Sequence, residues 1–305
     1  MKKINKGVLI APLAVALMLV LLLAADLLNL TDASNAREML LRIIVLQIIV
    51  FVLPSMASAG LIGLKYVRSA SLRPFAPSRG TLILTLLVVM VTGSFLISLV
   101  EGMLWEGGQS SSATTEIYSA ISSEGGSFLT VLAVCIVPAI CEEFAFRGVL
   151  LAALRPCRAL TACTLSALLF AAVHLDESSL ASSFFCGLVL SWLVIVTRSL
   201  IASMVLHAAY NVTVLFGLPY IWRVTLEPMG ILFSVFLLTG LFILCVAASF
   251  GEAQAIYAEY SVEEPPPSDT QGKERLSVGA GLLAAVKSPG TWLCGIIFVL
   301  AMIMS

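Results

Sequence analysis

The sequence predicts an all-α protein, a polytopic bundle of about eight or nine transmembrane helices. Two observations indicate this fold class. Hydrophobic residues make up 60% of the chain and charged residues only 11%, and the mean hydropathy is +1.05. A soluble domain, by contrast, has about a quarter of its residues charged. Apolar runs of about 20 residues, the length that crosses the hydrocarbon core of a bilayer, recur along the chain between polar segments.

The rest of the composition narrows the class of protein further. The net charge of -1 and the lack of a basic patch indicate no nucleic-acid partner. The cysteines number 7, lie almost entirely in apolar runs and form no C-x-x-C pair, which favours packing residues over a disulfide or zinc framework. The only histidines are His174 and His207, so any role for an imidazole falls on these two side chains.

The apolar runs place the helices in chain order. Residues 1–7 form a basic leader, and the apolar run that follows is longer than the core of a signal peptide, which favours a first transmembrane helix. Residues 101–126 are predicted to form a polar external loop, and residues 251–275, with three consecutive prolines, a flexible loop. The predicted spans are 8–30, 43–64, 81–100, 128–154, 160–175, 181–196, 200–218, 230–248 and 292–304.

Loop charges predict the orientation of these spans. Lysine and arginine fall on alternate loops: in the leader, at residues 65–79, at residues 155–158 and at Arg198. The intervening loops are poor in both residue types. By the positive-inside rule the N-terminus is cytoplasmic, and we expect a multi-pass protein of the cell (plasma or inner) membrane.

Residues 141–148, Cys-Glu-Glu-Phe-Ala-Phe-Arg-Gly, place three charged side chains inside the apolar fourth span. An ionised side chain at the centre of a bilayer costs at least about 2.5–3.5 kcal/mol, so these charges need an explanation. Glu143 and Arg147 are four residues apart with the acid first, so on a helix they share a face and can pair. Glu142 points about 100° away and has no local partner. A paired acid beside a free one indicates a site.

Both histidines lie in later spans and have a polar or aromatic residue at helical spacing. Phe170 and His174 are four residues apart in the fifth span, so the aromatic ring can pack against the imidazole. His207 and Asn211 have the same spacing in the seventh span, with small residues between them that allow a neighbouring helix to approach closely. Both histidines of the chain are therefore predicted to belong to membrane-embedded helices.

Taken singly, these residues have structural explanations. The buried acid–arginine pair suits an intramembrane ion pair, and His207 and Asn211 suit interhelical hydrogen bonds. Taken together, a carboxylate, two imidazoles and a carboxamide are the groups that activate water and stabilise an oxyanion. The same groups leave a metal site open, because Glu142, His174 and His207 are ligand types that suit zinc. The sequence contains no H-E-x-x-H motif, so this alternative depends on ligand type alone.

The order of the motifs along the chain resembles the CPBP family, the CAAX proteases and bacteriocin-processing intramembrane endopeptidases, which include the type II CAAX prenyl endopeptidases. The resemblance covers residues 127–218 and implies a helical membrane protease with an intramembrane active-site cavity. It divides the chain into N-terminal helices with the polar loop (1–126), a catalytic core (127–218) and C-terminal helices with the flexible loop (219–305). The motifs are Glu142-Glu143-x-x-x-Arg147, Phe170-x-x-x-His174 and His207-x-x-x-Asn211.

The resemblance also implies a role for each motif residue. Glu142 would be the catalytic base that activates water, with His174 assisting. His207 and Asn211 would shape the oxyanion site. The supporting residues, which would hold the helix geometry, are Glu143, Arg147 and Phe170.

We therefore expect an endopeptidase that cleaves a membrane-anchored peptide or protein in the lipid bilayer. The glutamate mechanism, which we favour, requires no cofactor, whereas a metalloprotease mechanism would use zinc. Family substrates include prenylated C-termini, bacteriocin leaders and membrane-anchored sorting tails, and the sequence does not choose among them. A secondary transporter is the alternative, since buried acids and histidines mark proton pathways, but the two related halves of many transporters are not found. A non-catalytic membrane scaffold or immunity protein is the third reading.

The depths of the site residues set a geometric condition. Counted at about 1.5 Å per residue from the external ends of their spans, Glu142 lies about 20 Å deep, while His174 lies near the outer edge. The two can meet only if the short fifth span is sunk or the fourth helix is broken. Pro138, one turn before Glu142, is placed to kink that helix.

Overall fold

A computed structural model describes residues 6–33, 35–63, 72–104, 128–224, 228–263 and 276–304. Within these ranges the regular structure is helical, apart from one isolated backbone bridge between Cys157 and Leu276. The all-α prediction is confirmed. Most of the polar loop predicted at 101–126, and residues 264–275 of the loop predicted near the C-terminus, lie outside the described residues.

The described residues form ten helices, which we number in chain order. Short 3₁₀ turns, Pro77–Arg79 and Glu177–Ser179, lead into the third and the sixth. The helices are α1 Lys6–Leu27, α2 Ala36–Ile62, α3 Gly80–Leu104, α4 Phe128–Ala153, α5 Ala159–Ala172, α6 Leu180–Thr197, α7 Leu200–Val224, α8 Pro228–Glu263, α9 Val278–Val286 and α10 Pro289–Met304.

The lengths of these helices confirm a polytopic membrane protein. In the described part of the chain, 7 helices are long and apolar enough to cross a membrane, and α9 and α10, which meet at 64°, add an eighth crossing if they act as one broken span. The fifth predicted span is the exception. Helix α5 has 14 residues, about 21 Å of helix against a hydrocarbon core about 30 Å thick. It is too short to cross the bilayer alone, which is compatible with the fifth span being sunk into the membrane.

Residues 251–263 are helical, which corrects the prediction of a flexible loop across 251–275. They complete α8, a helix of 36 residues. Ala253 and Ile256 are buried in a hydrophobic cluster with α3, α6 and α7, and the ring of Tyr260 packs against that cluster. The Tyr260 hydroxyl also donates to a backbone carbonyl at the end of α6, at 3.1 Å. Spacings of three and four residues put these side chains on one face, so neighbouring helices stabilise a segment that reads as polar.

Glu101 also lies on a helix, although the sequence places it in the polar external loop. Its Oε1 accepts a hydrogen bond from the backbone N–H of Ala181, in the first turn of α6, at 2.8 Å. The start of a helix has unpaired N–H groups and the positive end of the helix dipole, so a buried carboxylate is stabilised there. This contact ties the end of α3 to the start of α6, directly after the loop that carries His174.

Helix α4 departs from regular α-helical geometry on both sides of the predicted site. The regular turns Val137–Glu143 hold both glutamates and lie between two π-helical turns, Leu132–Ile136 and Phe144–Leu150. Pro138 comes shortly after the first of these turns. A proline has no N–H to donate and its ring crowds the preceding turn, which favours a wider π turn there. The first π turn ends two residues before Pro138, so the helix departs from α geometry next to the residue at which a kink is predicted.

Candidate active site

The Glu143 carboxylate is the centre of a buried polar network between α4 and α7. Its Oε1 accepts a hydrogen bond from Nη1 of Arg147 at 2.7 Å and lies 3.0 Å from Nδ1 of His207. Its Oε2 accepts a hydrogen bond from the hydroxyl of Ser203. Glu143 and Ser203 are 0% exposed and His207 is 5% exposed. The ion pair predicted between Glu143 and Arg147 is present, and Glu143 also bonds to the helix that carries His207.

Arg147 connects this network to two further helices. Its Nη2 donates to the carbonyl of Gly187 on α6 at 3.0 Å. Its guanidinium lies over the ring of Phe170 on α5, 4.4 Å from the ring centroid. A cation over an aromatic face is attractive, and more so when both are removed from water, as they are here. One side chain therefore fixes α4 against α5 and α6.

The ring of Phe170 brings the second motif against the other two. Its centroid lies 4.8 Å from the His174 ring, 5.9 Å from the His207 ring and 5.3 Å from the Phe146 ring, all in edge-to-face geometry. Such pairs are favourable beyond their buried area. The packing of Phe170 against His174, predicted from their spacing, is present, and the same ring also meets the histidine of α7.

His174 follows the end of α5, where the chain turns sharply. Its Nδ1 lies 2.9 Å from the carbonyl oxygen of Phe170. A carbonyl only accepts hydrogen bonds, so Nδ1 carries the hydrogen. Nε2, on the opposite side of the ring, points away from that carbonyl. The next residue, Leu175, has a φ of 50°, a left-handed conformation that costs about 1–2 kcal/mol for a residue with a side chain. Leu175 packs against the hydrophobic core, which offsets that cost.

His207 and Asn211 lie one turn apart on α7 and both contact α4. His207 reaches Glu143, as described above, and Nδ2 of Asn211 donates to the carbonyl of Cys135 at 3.5 Å, a long hydrogen bond. Cys135 lies in the first π turn, two helical turns before Glu142. The shared face predicted for the imidazole and the carboxamide is therefore directed at the helix that carries the glutamates.

Glu142 differs from the acid next to it. It is 8% exposed, yet within the described ranges no hydrogen bond or salt bridge reaches its carboxylate. In particular, none joins it to His174, His207 or Asn211. The structure thus brings the supporting residues and both histidines into one contacting group, attaches Asn211 to the same helix, and leaves Glu142 as the unbonded acid beside them.

Comparison with known proteins gives one match, and it covers this group of helices. Residues 124–213 match the model of a family described as type II CAAX prenyl endopeptidase Rce1-like. This segment of the chain is therefore similar to the Rce1-like CAAX proteases. The matched segment is under a third of the chain and contains all seven residues that the three motifs supply. No curated protein and no solved structure matches the chain.

The Rce1-like match confirms the family assignment made from the motifs. It supports a protease function of the intramembrane CAAX type, which acts on a membrane-associated peptide or protein. The long apolar helices separately make the protein a multi-pass membrane protein.

The residues proposed for zinc do not form a metal-binding set in this Rce1-like core. Among the described residues, no group of three or more His, Cys, Asp or Glu side chains is arranged to hold a metal ion. Glu142, His174 and His207 are therefore not a set of three that the described structure arranges as a metal site. A zinc site needs about four ligands near 2 Å, and this arrangement does not supply three of them.

Two residues that contact the network were missed by sequence reasoning. Ser203 lies four residues before His207, so Ser-x-x-x-His-x-x-x-Asn repeats one spacing along one face of α7, and that signal was available. Gly187 lies in an apolar run with no distinguishing pattern. Its role becomes visible only through the carbonyl that accepts from Arg147 and from Ser191.

Gly187 lies at a close contact between α6 and α5, so an added methyl group is expected to destabilise the protein. A Cβ at this position would lie 3.0 Å from both Cα and Cβ of Ala167 and 3.2 Å from the Phe170 ring. We expect Gly187→Ala to lower the free energy of unfolding by about 1–3 kcal/mol, since overpacking moves the backbone, and to lower activity by displacing Phe170. Thermal unfolding in detergent measures the first effect.

Gly240→Ala is the matched control for this prediction. Gly240 is also inside a membrane helix, α8, and a Cβ there meets nothing within 4 Å. Helix propensity alone favours alanine over glycine by about 0.5–1 kcal/mol at both positions. Gly240→Ala is therefore expected to keep or raise stability, and equal stability of the two variants would contradict the packing argument.

An apolar pocket opens between α2, α4 and α7, and Phe144, the residue after Glu143, is one of its lining residues. Its volume is about 520 Å³. None of its lining residues is one of the predicted site residues, so the water-filled active-site cavity expected from the family stays a prediction. Its lining residues are Val52, Met56, Leu72, Ile140, Phe144 and Met204.

Proposed function

We propose that this protein is an intramembrane endopeptidase in which Glu142 activates a water molecule for attack on a peptide bond. One observation carries the proposal: two adjacent buried glutamates differ in their bonding. Glu143 accepts from three side chains and is fixed, whereas no hydrogen bond or salt bridge reaches Glu142 in the described part of the chain. A general base needs a lone pair that is not already occupied, and Glu142 has one.

In the proposed first step, the Glu142 carboxylate takes a proton from water while the water oxygen attacks the carbonyl carbon of the peptide. The C–O bond forms, and the carbonyl electron pair moves to the oxygen, which becomes an oxyanion. In the second step the C–N bond breaks, and the leaving amine takes the proton that Glu142 holds. His174, whose Nε2 is left free by the contact of Nδ1 with the Phe170 carbonyl, is proposed to orient the water by accepting its second hydrogen.

The oxyanion is proposed to lie against α7. Asn211 has two amide hydrogens, and only one is used in the long bond to Cys135, so the second can donate to the oxyanion. His207 directs Nδ1 at Glu143, so it can donate through Nε2 only after the ring takes a second proton. The charge of that imidazolium would be met by Glu143 across 3.0 Å.

The proposed substrate is a membrane-anchored peptide or protein, and the reaction as written needs no cofactor. The pocket beside Ile140 and Phe144 is apolar and lies next to the glutamates on α4, so it suits an apolar part of such a substrate. Prenylated C-termini, bacteriocin leaders and sorting tails all supply one. Zinc dependence is the alternative that the experiment below tests.

We also propose that the N-terminus faces the cytoplasm of the cell, in the plasma or inner membrane. The support is the alternation of basic and acidic loops along the sequence. The native cysteines are all buried, so a cysteine added by Lys3→Cys can be labelled selectively. A membrane-impermeant thiol reagent should label it only after the membrane is broken, and labelling of intact cells would reverse the orientation.

The proposed function is tested with purified protein in detergent and a library of membrane-anchored C-terminal peptides, with cleavage products identified by mass spectrometry. The same peptides without their anchors are the substrate control. We expect cleavage of anchored peptides by the wild type, loss of cleavage with Glu142→Gln, and full activity in the presence of a chelator. Loss with the chelator and rescue by zinc would replace the glutamate mechanism. Equal results for wild type and Glu142→Gln would favour a transporter or a scaffold.

A further inference from the structure

We propose that Ser203 is a positioning residue of this site: its hydroxyl holds the Glu143 carboxylate in the one orientation that keeps His207 protonated on Nδ1 with Nε2 free. The effect on turnover rests on the proposed function, whereas the effect on His207 does not. Ser203 lies outside the three family motifs, and its contact with Glu143 spans 60 positions of sequence.

The bonding of Glu143 determines which nitrogen of His207 carries the hydrogen. Arg147 is a donor with no lone pair, so it bonds an ionised carboxylate, and an ionised carboxylate only accepts hydrogen bonds. His207 Nδ1, 3.0 Å from the same Oε1, must therefore be the donor. The second ring nitrogen of a neutral imidazole is then an acceptor, directed away from Glu143.

Ser203 is the group that keeps the carboxylate in this orientation. Oε1 is shared by Arg147 and His207, and Oε2 has the Ser203 hydroxyl as its donor. Without that hydroxyl, Oε2 would be a buried acceptor with no partner, which is unfavourable. The carboxylate can relieve this by rotating until its two oxygens accept from Nη1 and Nε of Arg147, the second of which is buried with no partner among the described residues. His207 would then lose the single bond geometry that selects its tautomer.

The position of Ser203 on α7 makes the arrangement rigid. Ser203 lies one turn before His207, and Asn211 lies one turn after it, so the three side chains are fixed by the same helix. Ser203 is 0% exposed, which excludes water as a substitute for the hydroxyl in the present packing. The serine, the carboxylate and the imidazole form a chain of hydrogen bonds that ends at the free Nε2.

The presence of two histidines makes a direct test simple. Protein labelled with ¹⁵N only at histidine gives two sets of ring signals, and His174→Gln assigns them. We expect the wild-type His207 signals to show a protonated Nδ1 and an unprotonated Nε2. Ser203→Ala should add a second set from the Nε2-protonated tautomer, and Ser203→Thr, which keeps the hydroxyl, should restore the single set.

Kinetics give the second readout of the positioning role. Ser203→Ala is expected to lower kcat about 10-fold, the size typical of a lost residue that orients a histidine. KM should stay within about 2-fold, because Ser203 acts through His207 and does not touch substrate. A purely structural role would lower the amount of folded protein without changing the tautomer.

Ser249→Ala is the matched control. Ser249 is a buried serine that donates to Cys245 on α8, a helix that carries none of the site residues. We expect this variant to keep both the wild-type ring signals and the wild-type kcat. A wild-type His207 without a proton on Nδ1, or identical ring signals in the wild type and Ser203→Ala, would overturn the proposal. If no peptide is cleaved by any variant, the proposed function fails while the ring signals still decide the role of Ser203.

Discussion

Glutamine at position 142 is expected to slow peptide cleavage about 10²–10⁴-fold, the contribution typical of a general base, while the free energy of unfolding changes by less than about 1 kcal/mol. The reason is that the described structure contains no hydrogen bond or salt bridge to the Glu142 carboxylate, so the substitution breaks none. It removes only the lone pair that takes a proton from water. Initial cleavage rates and thermal unfolding of the same preparations measure both quantities.

The same substitution at position 143 is expected to act mainly on stability. Glu143→Gln leaves the Arg147 charge buried without its partner, and breaking a buried ion pair from one side costs about 3–5 kcal/mol. The amide also turns N–H groups toward side chains that are themselves donors. Glu142→Gln should therefore mainly lower the cleavage rate and Glu143→Gln mainly the free energy of unfolding, although both replace a glutamate and lie one position apart.

Glu38→Gln is the matched control for the stability effect. Glu38 and Arg42 form a salt bridge with the same four-residue spacing at 2.6 Å, but both side chains are 42% exposed. An exposed pair contributes about 1 kcal/mol or less, because water solvates both charges after the pair is lost. A Glu38→Gln variant as unstable as Glu143→Gln would show that burial is not the cause. Full stability of Glu143→Gln would contradict the network itself.

Alanine at position 170 is expected to lower the free energy of unfolding by about 3–5 kcal/mol and to abolish cleavage even where the protein stays folded. Phe170 is buried, and its ring contacts Arg147, His174 and His207. Its removal leaves a cavity between the three motifs, so the histidines lose the surface that orients them. Cleavage measured about 20 °C below the unfolding midpoint of the variant separates the two effects.

Phe51→Ala provides the comparison, because it removes a ring of the same size that is buried to a similar degree. Phe51 is a buried residue of α2 and its ring meets Phe146, with centroids 6.4 Å apart, but not the histidines. We expect a similar loss of stability and, below the unfolding midpoint, nearly wild-type cleavage. If Phe51→Ala abolished cleavage as completely as Phe170→Ala, the loss would follow from destabilisation, and the role given to Phe170 would be wrong.

Several features could be predicted from the sequence because they depend on neighbours along the chain. A bilayer requires about 20 apolar residues per crossing, and that requirement is visible in any window of the sequence. The contact of Glu143 with Arg147 follows from the geometry of one helix, as does the packing of Phe170 on His174. The resemblance to the family followed from three short motifs in order, and the matched segment supports it.

Other features needed the tertiary structure because their partners are distant in sequence. Glu101 reads as part of a polar loop until its carboxylate is seen at the start of α6, 80 positions away. Residues 251–263 are polar enough to predict a flexible loop. Their order depends on helices from earlier parts of the chain, which cover Ala253 and Ile256. Ser203 shares the four-residue spacing of His207 and Asn211, but its role becomes visible only when Glu143, 60 positions away, lies beside it.

The sequence by itself determined that this is a helical membrane protein with two adjacent acids, two histidines and a carboxamide in its spans, because composition and spacing are local properties. Only the tertiary structure decided that Ser203 and His207 are further partners of Glu143, and which nitrogen of each histidine is occupied. The physical reason is that hydrogen-bond partners in a membrane bundle are chosen by how helices pack. That packing depends on small surfaces, such as the one at Gly187, that leave no periodic pattern in the chain.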